Sequence, residues 1–311
     1  MSMRRTPALL ASLALSACAL APQPSRDDVA KQAFPNVRSP AQWAAPGAGA
    51  GGVADNWLAT FHEPQLDALV IEAVAYNADL RIAAARVDAA AAQLAAVKSP
   101  IWPQVNAVAR GGGKMSGDSS GLSGVGLFAS WELDLWGRVR SAARSGELQY
   151  DSALLDAEYA RQSIAALTAK GWILAIEARL QKAQAEATLQ ASEQLAALAR
   201  DRLRIGSGDE YDVATAQVSV ESLRDTVRTL DLAYSNALRA LETLIGRYPA
   251  ALVAVAAQLP AWPGDVPAGL PSELLERRPD VVAAERRVAA AFYRTEEAKA
   301  ARLPKITLVA N

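Results

Sequence analysis

The chain contains an alternation of apolar and polar residues that leads directly into a long helical pattern. In and around the stretch FASWELDLWGRVR, Phe128 to Arg140, the residues of one parity are apolar and those of the other are largely polar. The apolar positions are Leu127, Ala129, Trp131, Leu133 and Leu135, and the polar positions are Ser130, Glu132 and Asp134. Such alternation is typical of a strand with two different faces. Because it stops at Gly137, we expect the strand to end at Trp136.

An earlier segment supplies a partner for this strand. From Ile101 to about Gly113, residues Val105, Ala107 and Ala109 share one parity, and a Gly/Ser-rich loop then runs to Gly124. The two alternating segments predict a β-hairpin over residues 101–136, with roughly ten residues per strand, a length that crosses a bilayer at a tilt. Tryptophans near the strand ends suit an interfacial girdle, although they could equally cover a helix. They are Trp102, Trp131 and Trp136.

Residues 137–246 predict a long helical hairpin. The helical pattern from Arg138 to about Ile205 would extend about 100 Å. A helix of that length cannot fold back into a globule, so partner helices must cover its apolar stripe in a coiled coil. The partner follows a helix stop at Gly206–Gly208 and an N-cap at Asp209, and it covers Tyr211 to Ile245. The apolar stripe is Leu148, Leu155, Ile164, Leu167, Ile173, Ile176, Leu180, Leu195 and Leu198.

The remaining segments include an internal repeat. Residues 56–100 predict a first helix, and the prolines of residues 247–271 indicate an irregular connector. Aligning Asp280 with Asp79 then pairs residues 272–311 with the beginning of the chain, so helix followed by strand occurs twice. The second copy, a helix plus a partial strand, stops at Asn311 inside that strand. We therefore expect this sequence to be the front two-thirds of a longer protein.

The amino terminus predicts a compartment. Residues 1–17 have the charged and short apolar regions of a secretory signal, and the tetrad LSAC that ends at Cys18 resembles a bacterial lipobox. Cys18 is the only cysteine of the chain, and we expect it to carry the acyl chains, palmitate among them, that anchor the protein. Residues 18–55 predict a lipidated tether. Ala19 favours the outer membrane, because it lacks the acidic character that resembles an inner-membrane retention signal.

Composition excludes several other functions. The net charge of −1 offers no basic patch for nucleic acid. A single cysteine rules out a disulfide within one chain, and with a single histidine a Cys/His metal site is not expected. No HExxH or CxxC sequence is present, and His62 is expected to be a surface residue rather than a general base. We expect no enzyme, no metal and no cofactor apart from lipid on Cys18.

The strand and the long helix together predict a conduit. An open sheet cannot stand alone in a bilayer, because each unpaired backbone group at its edges costs several kcal/mol in hydrocarbon. Several protomers must therefore close the sheet, and the long helices would form a second barrel on the first. Trp131 and Leu133 would then face lipid, while Ser130, Glu132 and Asp134 would face the lumen or the junction between the barrels.

Three segments resemble signatures of the outer-membrane efflux family, the TolC-like, NodT-type lipoproteins. They are SWELDLWGR (Ser130 to Arg138), RLRIGSGDEYDVATAQ (Arg202 to Gln217) and GLPSELLERRPDVVAAERRV (Gly269 to Val288). The resemblance implies a mainly α fold with short membrane β-strands, in which long antiparallel coiled-coil helices form an α-barrel continuous with a trimeric transmembrane β-barrel. Each full-length protomer would give four strands, and the strand–helix junction would comprise Trp131, Glu132, Asp134, Trp136 and Gly137.

The resemblance also implies partners. The channel subunit would form a homotrimer that gives exported small molecules passive passage from a periplasmic tunnel to the exterior. The tunnel would dock on a periplasmic adaptor and, through it, on an inner-membrane transporter. The tip that contacts the adaptor would comprise Arg204, Gly206, Ser207, Gly208, Asp209 and Asp212.

Other functions remain open at this point. A type I secretion channel would share these features, and a truncated chain could be a non-functional fragment. A periplasmic adaptor also carries a helical hairpin, but it flanks the hairpin with lipoyl-like and small β-barrel domains rather than with strands long enough to cross a bilayer.

Overall fold

A computed structural model describes residues 57–110, 124–262, 264 and 276–310, together with Ser25 and Asp28. The predicted signal peptide, Cys18 and nearly all of the tether lie outside these residues. The described elements are helices α1 (Pro64–Tyr76), α2 (Ala78–Lys98), α3 (Arg138–Arg204), α4 (Glu210–Leu244) and α5 (Pro279–Ala300), and strands β1 (Gln104–Arg110), β2 (Gly124–Glu132) and β3 (Thr307–Ala310). Short 3₁₀ turns at Trp57–Phe61 and Ser99–Ile101 precede α1 and β1.

The chain divides into two compact units. The first is built mainly from the described residues of Ala83–Glu158 and Ser272–Asn311 and contains all three strands. The second is built from the described residues of Gln42–Ile82 and Tyr159–Pro271 and contains the hairpin turn. The long helix α3 therefore begins in the first unit and ends in the second.

The prediction of one helix over residues 56–100 is wrong at Asn77, where the chain is extended between α1 and α2. The buried Asn77 side chain accepts hydrogen bonds from the amides of Asp79 and Leu80, at 2.8 and 3.2 Å, and so caps the start of α2. Its Nδ2 donates to the carbonyl of Leu244 at 2.8 Å. The Asn77 side chain therefore satisfies the start of α2 and the end of α4, and its extended backbone separates α1 from α2.

The strands form a three-stranded antiparallel sheet in the order β1-β2-β3. Strand β2 ends at Glu132, not at Trp136 as predicted, because Asp134 leaves the strand to cap α3. The described strands β1 and β2, of 7 and 9 residues, are shorter than the ten expected. The repeat is confirmed as helix followed by strand, since α5 leads to β3 as α2 leads to β1. Strand β3 pairs with β2.

The long hairpin has the predicted antiparallel arrangement. Helix α3 has 67 residues and α4 has 35. Side-chain contacts join them from Lys182–Asp231 through Glu193–Arg224 to Arg200–Gln217, so the contact positions converge as the chain approaches the turn. The contacts lie on exposed parts of both helices, where each adds little stability.

The predicted apolar stripe of α3 is only partly buried. Leu148, Ile164 and Ile176 are buried, but other members are exposed, namely Leu167, Leu180, Leu195 and Leu198. Most buried positions of α3 are instead small residues, among them Ser141, Ala143, Ser145, Ser152, Thr168, Ala169, Ala175, Ala185 and Ala196. Small side chains let neighbouring helices approach closely, so α3 packs through its small face within the chain. Four leucines of the predicted stripe are left at the surface.

The core of the second unit forms around Trp172, which is fully buried. Its indole Nε1 donates to Gln65 Oε1 at 3.0 Å, and Gln65 in turn donates to the carbonyl of Ala254. The part of the predicted connector that the structure describes contains no helix or strand, and its start packs on this core through Val253 and Val255.

A buried carboxylate holds this connector in place. Glu242 is 2% exposed and accepts hydrogen bonds from the amides of Ala251, Leu252 and Val253 at 2.6, 2.6 and 2.9 Å. Burial alone would raise the pKa of Glu242, yet these amide hydrogen bonds outweigh it and leave the pKa below its ordinary value. Ala251 adopts a φ of 60°, which turns the three amides toward the carboxylate.

None of the helices in the described part of the chain combines the length and the apolar character needed to cross a membrane.

Candidate functional site at the strand–helix junction and the hairpin tip

The strand–helix junction turns at Gly137 and is capped by Asp134. Gly137 has a φ of 77°, a conformation that favours glycine. The Asp134 carboxylate accepts hydrogen bonds from the amides of Val139 and Arg140 at 3.0 and 2.9 Å. These amides belong to the first turn of α3, where backbone donors have no partner within the helix and a negative charge is favoured. Asp134 therefore joins the strand directly to the start of the 67-residue helix.

Three charged side chains meet beside this turn. Arg138 donates two hydrogen bonds to Glu132, at 2.7 and 2.6 Å, and Lys305 Nζ lies 2.8 Å from the same carboxylate. The Glu132 side chain is only 12% exposed, so water screens these contacts weakly. The hydrogen bonds to Glu132 raise the pKa of the Arg138 guanidinium. Glu132 thus links the start of α3 to the segment that leads into β3.

The two junction tryptophans donate hydrogen bonds to two different backbone segments. Trp131 Nε1 donates to the carbonyl of Ile101 at 3.0 Å, just before β1. Trp136 Nε1 donates to the carbonyl of Pro304 at 2.8 Å, just before β3. The structure therefore brings together all five predicted junction residues, and it adds Arg138 and Lys305. Sequence analysis could have identified Arg138 and Lys305 as junction residues only from their positions close to the end of one strand and the start of another.

The hairpin tip is a helix C-terminus followed directly by a helix N-cap. Gly206 has a φ of 76°, and the amide of Ser207 donates to the carbonyl of Arg202 at 2.9 Å, which satisfies the last turn of α3. The Asp209 side chain accepts from the amide of Asp212 at 2.8 Å and starts α4, as predicted. A Cβ added at Gly208 would lie 3.1 Å from Arg202 Cβ, so a small residue is favoured there.

The tip presents its side chains to solvent. The six predicted tip residues lie in the turn and in the adjoining ends of α3 and α4. Arg204 forms an ion pair with the nearby Asp201 at 3.0 Å, and both side chains are largely exposed. Sequence analysis missed two large side chains that flank the turn, Ile205 at 72% and Tyr211 at 76% exposure. The sequence does indicate this exposure, because a turn made of glycine and serine has no side chains large enough to bury the apolar residues on either side of it.

Neither cluster has the composition of a metal centre. Across the described residues, no group of three or more His, Cys, Asp and Glu side chains could hold a metal ion. His62 is exposed, as predicted.

These features define a class of fold, that of the solved outer-membrane efflux channels. The structure of the outer-membrane channel OprN superimposes with a TM-score of 0.76 at 29% identity, over 88% of this chain and 66% of that chain. The family described as outer membrane efflux protein matches residues 69–247. The chain belongs to this family.

Two relatives support the assignment. The pyoverdine export outer membrane protein OpmQ of Pseudomonas aeruginosa is 32% identical over 329 aligned residues, which cover all of this chain and 68% of that protein. The cation efflux system protein CusC of Escherichia coli is 31% identical over 316 aligned residues, which cover 96% of this chain and 66% of that protein. The chain spans about two thirds of the length of these relatives.

Proposed function

We propose that this chain is the outer-membrane channel subunit of a tripartite efflux system, and that it gives exported small molecules passive passage to the exterior without catalysing a reaction. The observation that carries the proposal is the continuity of β2 with α3 through the capped turn at Gly137, in a chain that belongs to the outer membrane efflux family. A strand that crosses lipid and a helix about 100 Å long that follows it would supply one wall of a duct.

The channel is a homotrimer in this proposal. Within the described residues, β1 and β3 each pair on one side only, and unpaired strand edges are costly in hydrocarbon. Further strands from other copies satisfy those edges. The exposed leucines of α3 support the same arrangement, because Leu167, Leu180, Leu195 and Leu198 offer apolar contacts to a neighbouring helix.

The hairpin tip docks on a periplasmic adaptor, which links the channel to an inner-membrane transporter. The exposed Ile205 and Tyr211, next to a turn of small residues, support this role, since large apolar side chains surrounded by polar ones are common at protein interfaces. The small turn lets helix ends of the partner approach closely.

The lipid anchor and the exported compound complete the proposal. Acylated Cys18 holds the amino terminus to the outer membrane, and a Cys18→Ser variant is expected to lose labelling by radioactive palmitate. The exported compounds are small molecules rather than proteins, because the relatives are named for pyoverdine export and cation efflux.

Two experiments test the channel and its docking. The full-length protein, purified in detergent, is expected to sediment as a trimer and to conduct ions in planar bilayers, and a stable, non-conducting monomer would contradict the proposal.

Gly206→Asp is expected to weaken cross-linking to the adaptor. Gly264→Asp is a matched control, because both glycines have positive φ and open space where a Cβ would stand. Equal cross-linking by both variants would remove the tip from the interface.

A further inference from the structure

The pairing of β3 with β2 is weakly specified by the strands themselves. Strand β3 has four residues, all exposed, and its partners along β2 include Ala129 opposite Ala310. Register is strongly fixed where one face is buried, because a slip of one residue moves every side chain to the other face, but exposed strands with small side chains are prone to slippage. Contacts other than the backbone pairing of β3 with β2 must therefore fix this register.

The two copies of the repeat differ at the position that enters the strand. The offset that pairs Asp79 with Asp280 also pairs Gln104 with Lys305. Gln104 donates to carbonyls of its own preceding turn, those of Ser99 at 2.6 Å and Trp102 at 3.0 Å. Lys305 instead reaches across to Glu132 at 2.8 Å. The same place in the repeat is therefore used locally in one copy and between strands in the other.

We infer that Lys305 is a positioning residue, which selects the second copy of the repeat for pairing with β2 and sets the register of that pairing through Glu132. A charged contact at the start of β3 fixes which residue of β2 lies opposite it. Lys305 lies two residues before Thr307, the first residue of the strand, and Thr307 is opposite Glu132 itself. A shift of two residues that brings Val309 opposite Glu132 would carry the ammonium group about 7 Å farther along the sheet, out of contact with the carboxylate.

The neighbouring contacts act in the same direction. The amide of Leu133 donates to the carbonyl of Ile306 at 2.9 Å and continues the ladder beyond the strand. Trp136 holds the carbonyl of Pro304 at 2.8 Å from the helix side. Arg138 at the start of α3 donates both of its hydrogen bonds to the Glu132 carboxylate and orients it for contact with Lys305.

Engineered disulfides can report this register. Leu133 and Ile306 form a hydrogen-bonded pair, so by alternation Ser130 and Val309 form a closer, non-hydrogen-bonded pair suited to a disulfide. Cysteines at Ser130 and Val309 report the observed register. Cysteines at Ser130 and Asn311 report a slip of two residues in the direction that separates Lys305 from Glu132, and this slip preserves the faces of the strand. Both pairs are placed in the full-length protein in the outer membrane, where Cys18 is kept because its acylated thiol does not form disulfides.

Lys305→Gln, which restores the residue of the first copy, is expected to raise the ratio of slipped to observed cross-link about fivefold, as for loss of a partly exposed ion pair. Lys305→Arg should return the ratio to its original value. Lys299→Gln is the matched control, because Lys299 pairs with Glu296 at 2.7 Å within α5 and should leave the ratio unchanged.

An unchanged ratio in Lys305→Gln, or an equal rise in Lys299→Gln, would overturn the inference. Trp136→Phe provides a second test that leaves the charges in place, and the slipped cross-link should rise there too. The inference rests on the proposed function for its membrane setting. The two fail separately, because a protein that conducts no ions yet shows the register shift would contradict only the channel.

Discussion

The strand–helix junction and the hairpin tip both turn the chain at a glycine of nearly equal φ, 77° at Gly137 and 76° at Gly206. Both also use an aspartate to cap the helix that follows, Asp134 in one case and Asp209 in the other. Their other side chains are arranged differently. At the junction, indole and charged groups bind partners distant in the chain, whereas at the tip Arg204 and Ser207 contact residues three and five positions away.

This difference separates two roles that one turn motif can serve. A junction whose polar groups are bound inside the chain fixes the geometry between two elements, and its substitution should change stability. A tip whose side chains are exposed contributes little to folding and keeps its surface for a partner. Matched substitutions at the two places should therefore give opposite patterns in stability and in binding.

The largest expected effect is at Arg138. Arg138→Ala removes both hydrogen bonds to a largely covered carboxylate, and we expect it to lower the free energy of unfolding by about 2 kcal/mol. Unfolding by urea in detergent, followed by tryptophan fluorescence, measures this. Arg204→Ala at the tip is the control, because its pair with Asp201 is exposed and should contribute less than about 0.5 kcal/mol. Equal losses would remove the distinction between the two regions.

The two caps should differ by a smaller amount. Asp134→Ala leaves two amides of α3 without their acceptor and should cost about 1.5 kcal/mol, toward the upper end for an N-cap. Asp209→Ala releases one amide at an exposed end and should cost about 0.7 kcal/mol. Hydrogen exchange at the amides of Val139, Arg140 and Asp212 measures each effect locally. A larger increase in the exchange rate at Asp212 in Asp209→Ala than at Val139 in Asp134→Ala would reverse the expected order.

Glycine at the tip should be replaceable at modest cost. A Cβ at Gly206 would meet nothing within 4 Å, so Gly206→Ala should cost only the left-handed backbone penalty, about 1 kcal/mol. Gly206→Asn should cost less, because asparagine tolerates this conformation. Thermal unfolding of both variants measures the difference. A loss of several kcal/mol in Gly206→Ala would show that the tip is packed rather than open.

The smallest effect is a pH dependence in the unit that contains the junction. Hydrogen bonds from Lys98 and then Arg144 hold the pKa of Glu147 below its ordinary value. Its stabilisation is therefore complete above the pKa of the unfolded chain and is lost as pH falls through the lower, folded pKa. The urea midpoint should fall between pH about 6 and about 3, and Glu147→Gln should reduce that fall. An identical pH profile in Glu147→Gln would contradict the assignment.

The sequence predicts most of the helices but not the details of the junction. The turn at Gly206–Gly208 and the cap at Asp209 are set by nearby residues, so local rules find them. The end of β2 at Glu132 depends on Asp134 bonding to Val139, which the alternating pattern cannot show.

Long-range partners account for the other differences. The break at Asn77 is stabilised by a hydrogen bond to Leu244, and Lys305 forms its ion pair with Glu132, in each case a contact across more than 160 positions. The leucine stripe of α3 misled the burial prediction for a related reason. Small residues on another face pack within the chain, and the periodicity does not say which face does so.

Cysteine scanning of β2 in the full-length protein tests the central claim, that this strand crosses the membrane before the chain enters α3. Single cysteines at Leu127, Ala129 and Ser130 are treated with a charged maleimide in intact outer membranes, with Cys18 kept because its acylated thiol does not react. The account predicts labelling at Ser130 and protection at Leu127 and Ala129. Uniform labelling of all three positions would contradict a strand with one face in lipid and the other in water.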